Sequence, residues 1–387
     1  MLSFEDPIYL DNNATTRCDP AVVAAMLPYF SEWYGNAATG LHPQGRKAAR
    51  AIEIAREQTA VLLNARSTEI IFTSGATESN NLAILGLGRR AVGGQRKRIV
   101  TTAVEHKAVL EPCHALAALG YEVVVLPVDT AGRVDLASAQ SSINEHTLLV
   151  SVQAANNETG TLQPITQIAA LAHAVGAVVH CDAAQAVGKI SVDVLAWDVD
   201  LLSLSSHKFY GPKGIGALYI CNGPRFIPLE PLAYGGGQEH AVRSGTSNVP
   251  GIVGLGAAAH LCATLLLEES KRIGTMRAAL ESQLLAALPD AWVNGTDAER
   301  LPNTISLALP GVEVDALLLS MPEIMMGVGS ACSTGALEPS HVLQAIGLSR
   351  EDAGSTIRLS LGRFNSQDET TKIVTRIVQT VEAYKLR

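Results

Sequence analysis

Two apolar runs in this chain end on charged side chains. "VVHCDAAQAVG" reaches Asp182, and "LLSLSSHKFYGPKG" reaches Ser205, Ser206, His207 and Lys208. A carboxylate and an ammonium at the ends of strands that read as buried are costly unless they are paired or put to use. Two readings account for them. One is a buried ion pair. The other is a pyridoxal phosphate site, in which the lysine holds the cofactor covalently and the aspartate keeps its ring nitrogen protonated, so that the ring accepts electrons. The phosphate then takes Thr77, Ser205 and His207. "FTSGATESNN" puts Ser74-Gly75-Ala76-Thr77 between a strand and a helix start. Free backbone N–H groups there favour an anion, and the same turn also reads as an ordinary helix cap on Thr77. His106, after "TTAV", reads either as a residue stacking on the ring or as one satisfied locally.

A third chemical group stands far along the chain. "GVGSACSTGALEPSH" carries Cys332 among glycines, serines and alanines, without the apolar neighbours that usually cover a thiol. Gly327, Gly329 and Gly335 mark the segment as a loop. A thiol on a loop is placed to react rather than to pack.

The elements that must position these groups follow from hydrophobic periodicity. "EIIFTS", "RIVTTAV", "EVVVLPV", "TLLVSVQAA", "AVVHCDAAQ", "DLLSLSSHK" and "IGALYIC" read as seven strands. "ESNNLAILGLG", "HKAVLEPCHALAALG", "DLASAQSSI" and "ITQIAALAHAVG" read as helices between them. Near-continuous apolar strands alternating with helices predict an α/β fold with a mostly parallel sheet covered on both faces. In such sheets ligands bind beyond the carboxyl ends of the strands, where Asp182, Lys208, His106 and the Asn156–Glu158 cluster fall. After about residue 255 the pattern changes to a long helical tract, a strand-like "NTISLALP", a helical "EVDALLLS", the cysteine loop and a terminal helix. This predicts a large domain over residues 16–255. A smaller α+β domain follows, made of residues 1–15 and 256–387 and carrying the cysteine loop at about 325–340.

Composition narrows the function. The chain has 387 residues, 47% of them hydrophobic, and a formal net charge of −8. That suits a large buried core and gives no electrostatic reason to bind nucleic acid or an acidic membrane. The six cysteines are scattered, with no C-x-x-C pair to hold a metal, and they suit a reducing, cytoplasm-like compartment. Neither a signal peptide nor a transmembrane helix is expected.

The ordered set "YLDNNATT", "TSGATESNNLAI", "VEHKAVL", "NNETGTLQPI", "HCDAAQAVGK", "SSHKFYGPKGIGALY", "GGGQEHAVRSGT", "GSACSTGALEPSHVL" and "STIRLSLGRF" resembles the cysteine desulfurases. These are pyridoxal-phosphate-dependent members of the class V aminotransferase superfamily. The chain is similar to the housekeeping and nitrogenase-associated group with the long cysteine loop. The resemblance implies a fold-type-I enzyme in which Lys208 carries the cofactor, Asp182 holds its ring nitrogen and His106 stacks on the ring. Asn157 and Gln185 would lie near the ring hydroxyl. The Ala76 backbone, Thr77, Ser205 and His207 would hold the phosphate. Thr246 would reach the phosphate of a second subunit, which implies a homodimer. Arg358, with Asn36 nearby, would bind the carboxylate of L-cysteine, although Ala37 stands where the family has proline. Cys332 would take the sulfur as a persulfide, leave L-alanine, and pass the sulfur to an acceptor protein such as an iron–sulfur scaffold. Rivals within the fold are a cysteine or cystine C–S lyase, a selenocysteine lyase and a plain aminotransferase. A non-catalytic scaffold or sulfur carrier is a rival of another class.

Overall fold

The computed structural model describes residues 7–223, 225, 227–328 and 339–385. Cys332 lies outside the described residues. The chain enters on β1 (Ile8–Leu10) and then builds one sheet from seven strands. These are β2 (Ile70–Thr73), β3 (Arg98–Thr102), β4 (Glu122–Leu126), β5 (Thr147–Ser151), β6 (Val178–Asp182), β7 (Leu201–Ser205) and β8 (Gly216–Ile220). They correspond to the seven expected strands. Their order is β2-β8-β7-β6-β5-β3-β4, and only β8 runs antiparallel to its neighbours.

Side chains alternate across a strand, so adjacent apolar residues feed opposite cores. Ile71, Ile99, Leu149 and Leu201 join the core under helices Ala76–Arg90 and Lys107–Ala117. Ile70, Val100, Val150 and Leu202 join the core on the other face, with helices Pro43–Leu63 and Ile165–Ala174. Two buried faces explain why these strands read as unbroken apolar runs. From β3 the chain goes outward to β4 and then back across to β5, β6 and β7. That reversal opens a crevice at the strand ends.

The second sheet has five strands, β1 with β9 (Trp292–Val293), β10 (Thr304–Ala308), β11 (Ile324–Val328) and β12 (Thr356–Ser360), in the order β1-β11-β12-β10-β9. The N-terminal strand therefore pairs within the sheet built by the C-terminal part of the chain. Only β10 among β9–β12 is foreshadowed by the sequence pattern; the others are held by their pairing.

Helix Val249–Ala287 joins the two parts. At 39 residues it is about 58 Å long. By length and composition it could cross a membrane. Its apolar positions are instead shared between two protein cores: Ile252, Leu255 and Ala259 pack in the first, and Ile273, Met276 and Leu280 in the second.

Candidate active site

A cavity of about 860 Å³ opens where the ends of β2, β3, β5, β6 and β7 meet β11 and β12. Ten expected site residues line it: Ala76, Thr77, His106, Asn157, Asp182, Gln185, Ser205, His207, Lys208 and Arg358. So do Asp11, Asn13, Ala14, Asn80 and Lys213, which the motifs did not single out. None of the five described cysteines lines it. Among the described residues no group of three or more His, Cys, Asp or Glu is placed to hold a metal.

Lys208 follows β7 in a short 3-10 turn. Its Nζ donates to the carbonyls of Asn13 (2.6 Å) and Ala14 (2.8 Å). Burial, then the charge of Arg358, lowers its pKa to about 8. About a tenth of unliganded molecules therefore presents a free amine at pH 7, and about half near pH 8. Asp182, at the end of β6, is 7% exposed. Its Oδ2 accepts from Asn80 Nδ2 (2.7 Å) and its Oδ1 from the Ala184 N–H (3.0 Å). No described cation stands within ion-pair distance of it, so the simple Asp182–Lys208 ion pair is not what the structure contains. A buried carboxylate that faces a cavity without a described cation in ion-pair reach suits a ligand that brings a positive N–H group.

At the other end, helix Ala76–Arg90 starts at the cavity wall with its first N–H groups free of intrahelical partners. Its N-cap Gly75 has φ 151°, a backbone conformation that side chains disfavour, which is why the turn carries glycine. Ser205 and His207 border it. His207 Nδ1 pairs with Thr15 Oγ1 (3.1 Å), and burial together with Lys208, Lys213 and Lys189 lowers its pKa to about 4. It is neutral at pH 7. An amine, a carboxylate without a cation and a helix N-terminus with hydroxyl and imidazole donors fit the aldehyde, the ring nitrogen and the phosphate of pyridoxal phosphate.

His106 faces the open cavity but is walled in by protein, and burial lowers its pKa. It also caps helix Lys107–Ala117, with Nδ1 accepting from the Ala108 N–H (3.0 Å). That bond puts the proton on Nε2 and leaves the Nε2–H available to the cavity. Behind it Glu105 is fully buried, and burial raises its pKa to about 8.

Arg358, on β12, is 8% exposed. Its Nη2 donates to Asp11 Oδ1 (2.7 Å), its Nη1 to the Asn157 carbonyl (3.1 Å), and its Nε has no described partner. A Cβ on Gly327, the facing residue of β11, would stand 2.7 Å from both Arg358 Nη2 and Asp11 Oδ1. Only glycine leaves this arginine its place.

Two expected residues fall elsewhere. Asn36 is exposed, its Oδ1 accepts from its own Ala38 N–H, and it is not part of the cavity lining. Thr246 is also exposed and outside the cavity of its own chain. Asn80 and Asp11 matter because they hold Asp182 and Arg358. Asn80 lies inside the quoted "TSGATESNN", five residues past the cap, on the helix turn that faces β6.

The Aminotransferase class-V family model matches residues 8–373. A cysteine desulfurase IscS of Anaeromyxobacter sp. (strain Fw109-5) is 46% identical over 381 residues, 98% of this chain and 93% of that protein. The solved structure of a NifS-like protein superposes with a TM-score of 0.90 at 37% identity, covering 97% of this chain and 100% of the other. A structure described as SspA in complex with cysteine matches with a TM-score of 0.79 at 35% identity, over 93% of this chain and all of that one. Similarity of this extent spans both sheets and every strand end around the cavity. The chain belongs to the cysteine desulfurase family of class-V aminotransferases, whose cofactor is pyridoxal phosphate.

Proposed function

We propose that the chain removes sulfur from L-cysteine and takes it on Cys332: L-cysteine and the Cys332 thiol give L-alanine and a Cys332 persulfide. The observation that carries this reading is Arg358, a buried guanidinium braced by Asp11 and the Asn157 carbonyl in the lining of the cavity that also holds Lys208 and Asp182. It suits an amino-acid carboxylate.

Bound pyridoxal phosphate supplies an electron sink that makes the hydrogen on the substrate's α-carbon acidic. The protein's part is to place and protonate. Asp182 Oδ1 and Oδ2, steered by Ala184 and Asn80, hold the ring nitrogen's proton. The N–H groups of Ala76 and Thr77, with Ser205 and His207, hold the phosphate. Asn157 and Gln185 approach the ring hydroxyl. Lys208 Nζ fixes the cofactor and, when free, moves the α-proton. His106 stacks and offers its Nε2–H. Arg358 orients the substrate by its carboxylate. None of the five described cysteines lines the cavity, which supports Cys332 as the sulfur acceptor.

The same reading makes the protein a homodimer. Thr246 is exposed on its own chain, and Phe30, Tyr34, Leu41 and Tyr234 leave apolar surface for a second copy to cover. Delivery of the persulfide sulfur to an acceptor protein, such as an iron–sulfur scaffold, in a reducing cytoplasm completes the proposal.

Incubation with L-cysteine and a thiol reductant tests it. The wild type should release alanine, and a brief pulse should add one sulfur at Cys332 by mass spectrometry. Cys332→Ser should bind cofactor and cysteine yet make neither alanine nor persulfide, because a hydroxyl is a poor nucleophile toward sulfur. Pyruvate and sulfide from Cys332→Ser at the wild-type rate would establish the lyase instead.

A further inference from the structure

Asn13, in the "DNNATT" segment, is 1% exposed. An asparagine has seven hydrogen-bonding positions: three N–H donors and two lone pairs on each of two oxygens. In Asn13 every one is used. Its backbone N–H donates to Ser360 Oγ (2.9 Å), and its carbonyl accepts from Lys208 Nζ (2.6 Å) and Gln185 Nε2 (2.9 Å). Oδ1 accepts from Lys189 Nζ (3.1 Å) and Asn303 Nδ2 (3.0 Å), while Nδ2 donates to Thr304 Oγ1 (2.9 Å) and the Asn157 carbonyl (3.1 Å).

These partners come from both halves of the molecule. Lys208, Gln185 and Asn157 stand at the ends of large-sheet strands; Ser360 and Thr304 lie on β12 and β10. The Asn157 carbonyl that receives Asn13 Nδ2 also receives Arg358 Nη1. One side chain thus braces the arginine's support while its own carbonyl seats the lysine. Lys189 donates to both Asn13 Oδ1 and Gln185 Oε1, which fixes which way each amide points.

We propose that Asn13 is a positioning residue that couples the seat of the Lys208 amine to the brace of Arg358. Its carbonyl, with that of Ala14, is where the amine rests whenever it is not joined to the cofactor. Its side-chain amide transmits the position of the small sheet to that seat. The inference rests on Lys208 being the cofactor lysine and Arg358 the carboxylate reader.

The two halves of Asn13 separate by substitution. Asn13→Asp keeps every acceptor and loses both Nδ2 donors. Asn13→Ala loses the whole side chain, so the carbonyl is no longer held. Two readouts are needed: the rate at which apoprotein takes up pyridoxal phosphate covalently, trapped with borohydride and mapped by mass spectrometry, and KM for L-cysteine set against kcat. Asn13→Asp should keep uptake within about threefold of wild type and raise KM about threefold to tenfold, the size of one lost neutral hydrogen bond. Asn13→Ala should slow uptake about tenfold or more and raise KM as well. Should Asn13→Ala not fold, Asn13→Asp and Lys189→Met carry the test, the latter slowing uptake with little change in KM. Wild-type uptake and KM in these variants, or a lowered unfolding temperature with neither changed, would overturn the proposal. Trapping on a lysine other than Lys208 in the wild type would instead remove the assignment on which it rests.

Discussion

Arg358, the proposed reader of the substrate carboxylate, is held in place before any ligand arrives. Two of its three nitrogens are committed to Asp11 and to the Asn157 carbonyl, so the planar fork is held with Nε left over. Burying such a group without these partners would be prohibitive. A charge-assisted hydrogen bond to a substrate carboxylate contributes about 1.5–3 kcal/mol. Arg358→Ala should therefore lower kcat/KM for L-cysteine by about tenfold to several-hundredfold, since about 1.4 kcal/mol is a factor of ten. Arg358→Lys should not restore it, because one ammonium cannot keep both braces and still meet the carboxylate. Steady-state kinetics on cofactor-loaded enzyme checks both, and an unchanged kcat/KM would remove Arg358 from the site.

The strands that present the site carry a polar seam of their own. His180 on β6 is fully buried, its Nδ1 bonded to Ser151 Oγ on β5 (2.8 Å) and its Nε2 to Ser203 Oγ on β7 (2.9 Å). Burial lowers its pKa to about 4 from the usual 6.5. Between those values the unfolded chain binds a proton that the folded one refuses. The resulting stability is fully present above pH 6.5 and is lost as pH falls toward 4. Going from pH 7 to pH 5, this amounts to about 2 kcal/mol. Glu105 and Glu158 act in the opposite direction, since burial raises them to about 8 and about 7 and their charging costs stability as pH rises. Comparison with His180→Gln isolates the histidine. Urea unfolding of wild type and variant at both pH values should show a smaller acid loss in the variant. Equal losses would mean that His180 does not titrate this way.

Across the whole molecule, the long helix Val249–Ala287 and the N-terminal strand β1 tie the two sheets into one body around the cavity. The proposed second copy adds to it from outside. The segment before Thr246 is held to the site wall, with Arg243 Nε on Glu78 Oε1 (2.9 Å) in the first turn of the phosphate-facing helix. Further back, Glu239 is gripped by both Arg56 Nη atoms (2.8 and 2.9 Å) and accepts from the Phe72 N–H at β2. This segment is therefore fixed by its own subunit while Thr246 points its chemistry elsewhere. In the proposed dimer, Thr246→Ala should weaken cofactor retention about tenfold, one hydrogen bond to a phosphate, without altering Lys208 labelling. Sedimentation should show two chains per particle. A fully active, cofactor-loaded monomer would refute the shared site.

Local pattern alone determined the seven strands of the large sheet, because burial on both faces makes each an unbroken apolar run. It also located Asp182 and Lys208, because a charge that terminates such a run is conspicuous. The motifs around them pointed to the cofactor and to the family. Asn13, Asp11 and Lys189 were not legible in that way. The partners of Asn13 lie up to 347 residues away in the chain, and no local spacing encodes a hydrogen bond across that distance. Strands β11 ("IMMGV") and β12 ("TIRLS") are mixed in character, and pairing with each other, with β1 and with β10 decides them. The chain passes from the first core to the second inside a single helix, between Cys262 and Ile273, so no break in secondary structure marks the passage. Tertiary structure alone also decided that Asn36 and Thr246 stand outside the cavity of their own chain, since which surface a loop residue faces depends on how whole elements pack.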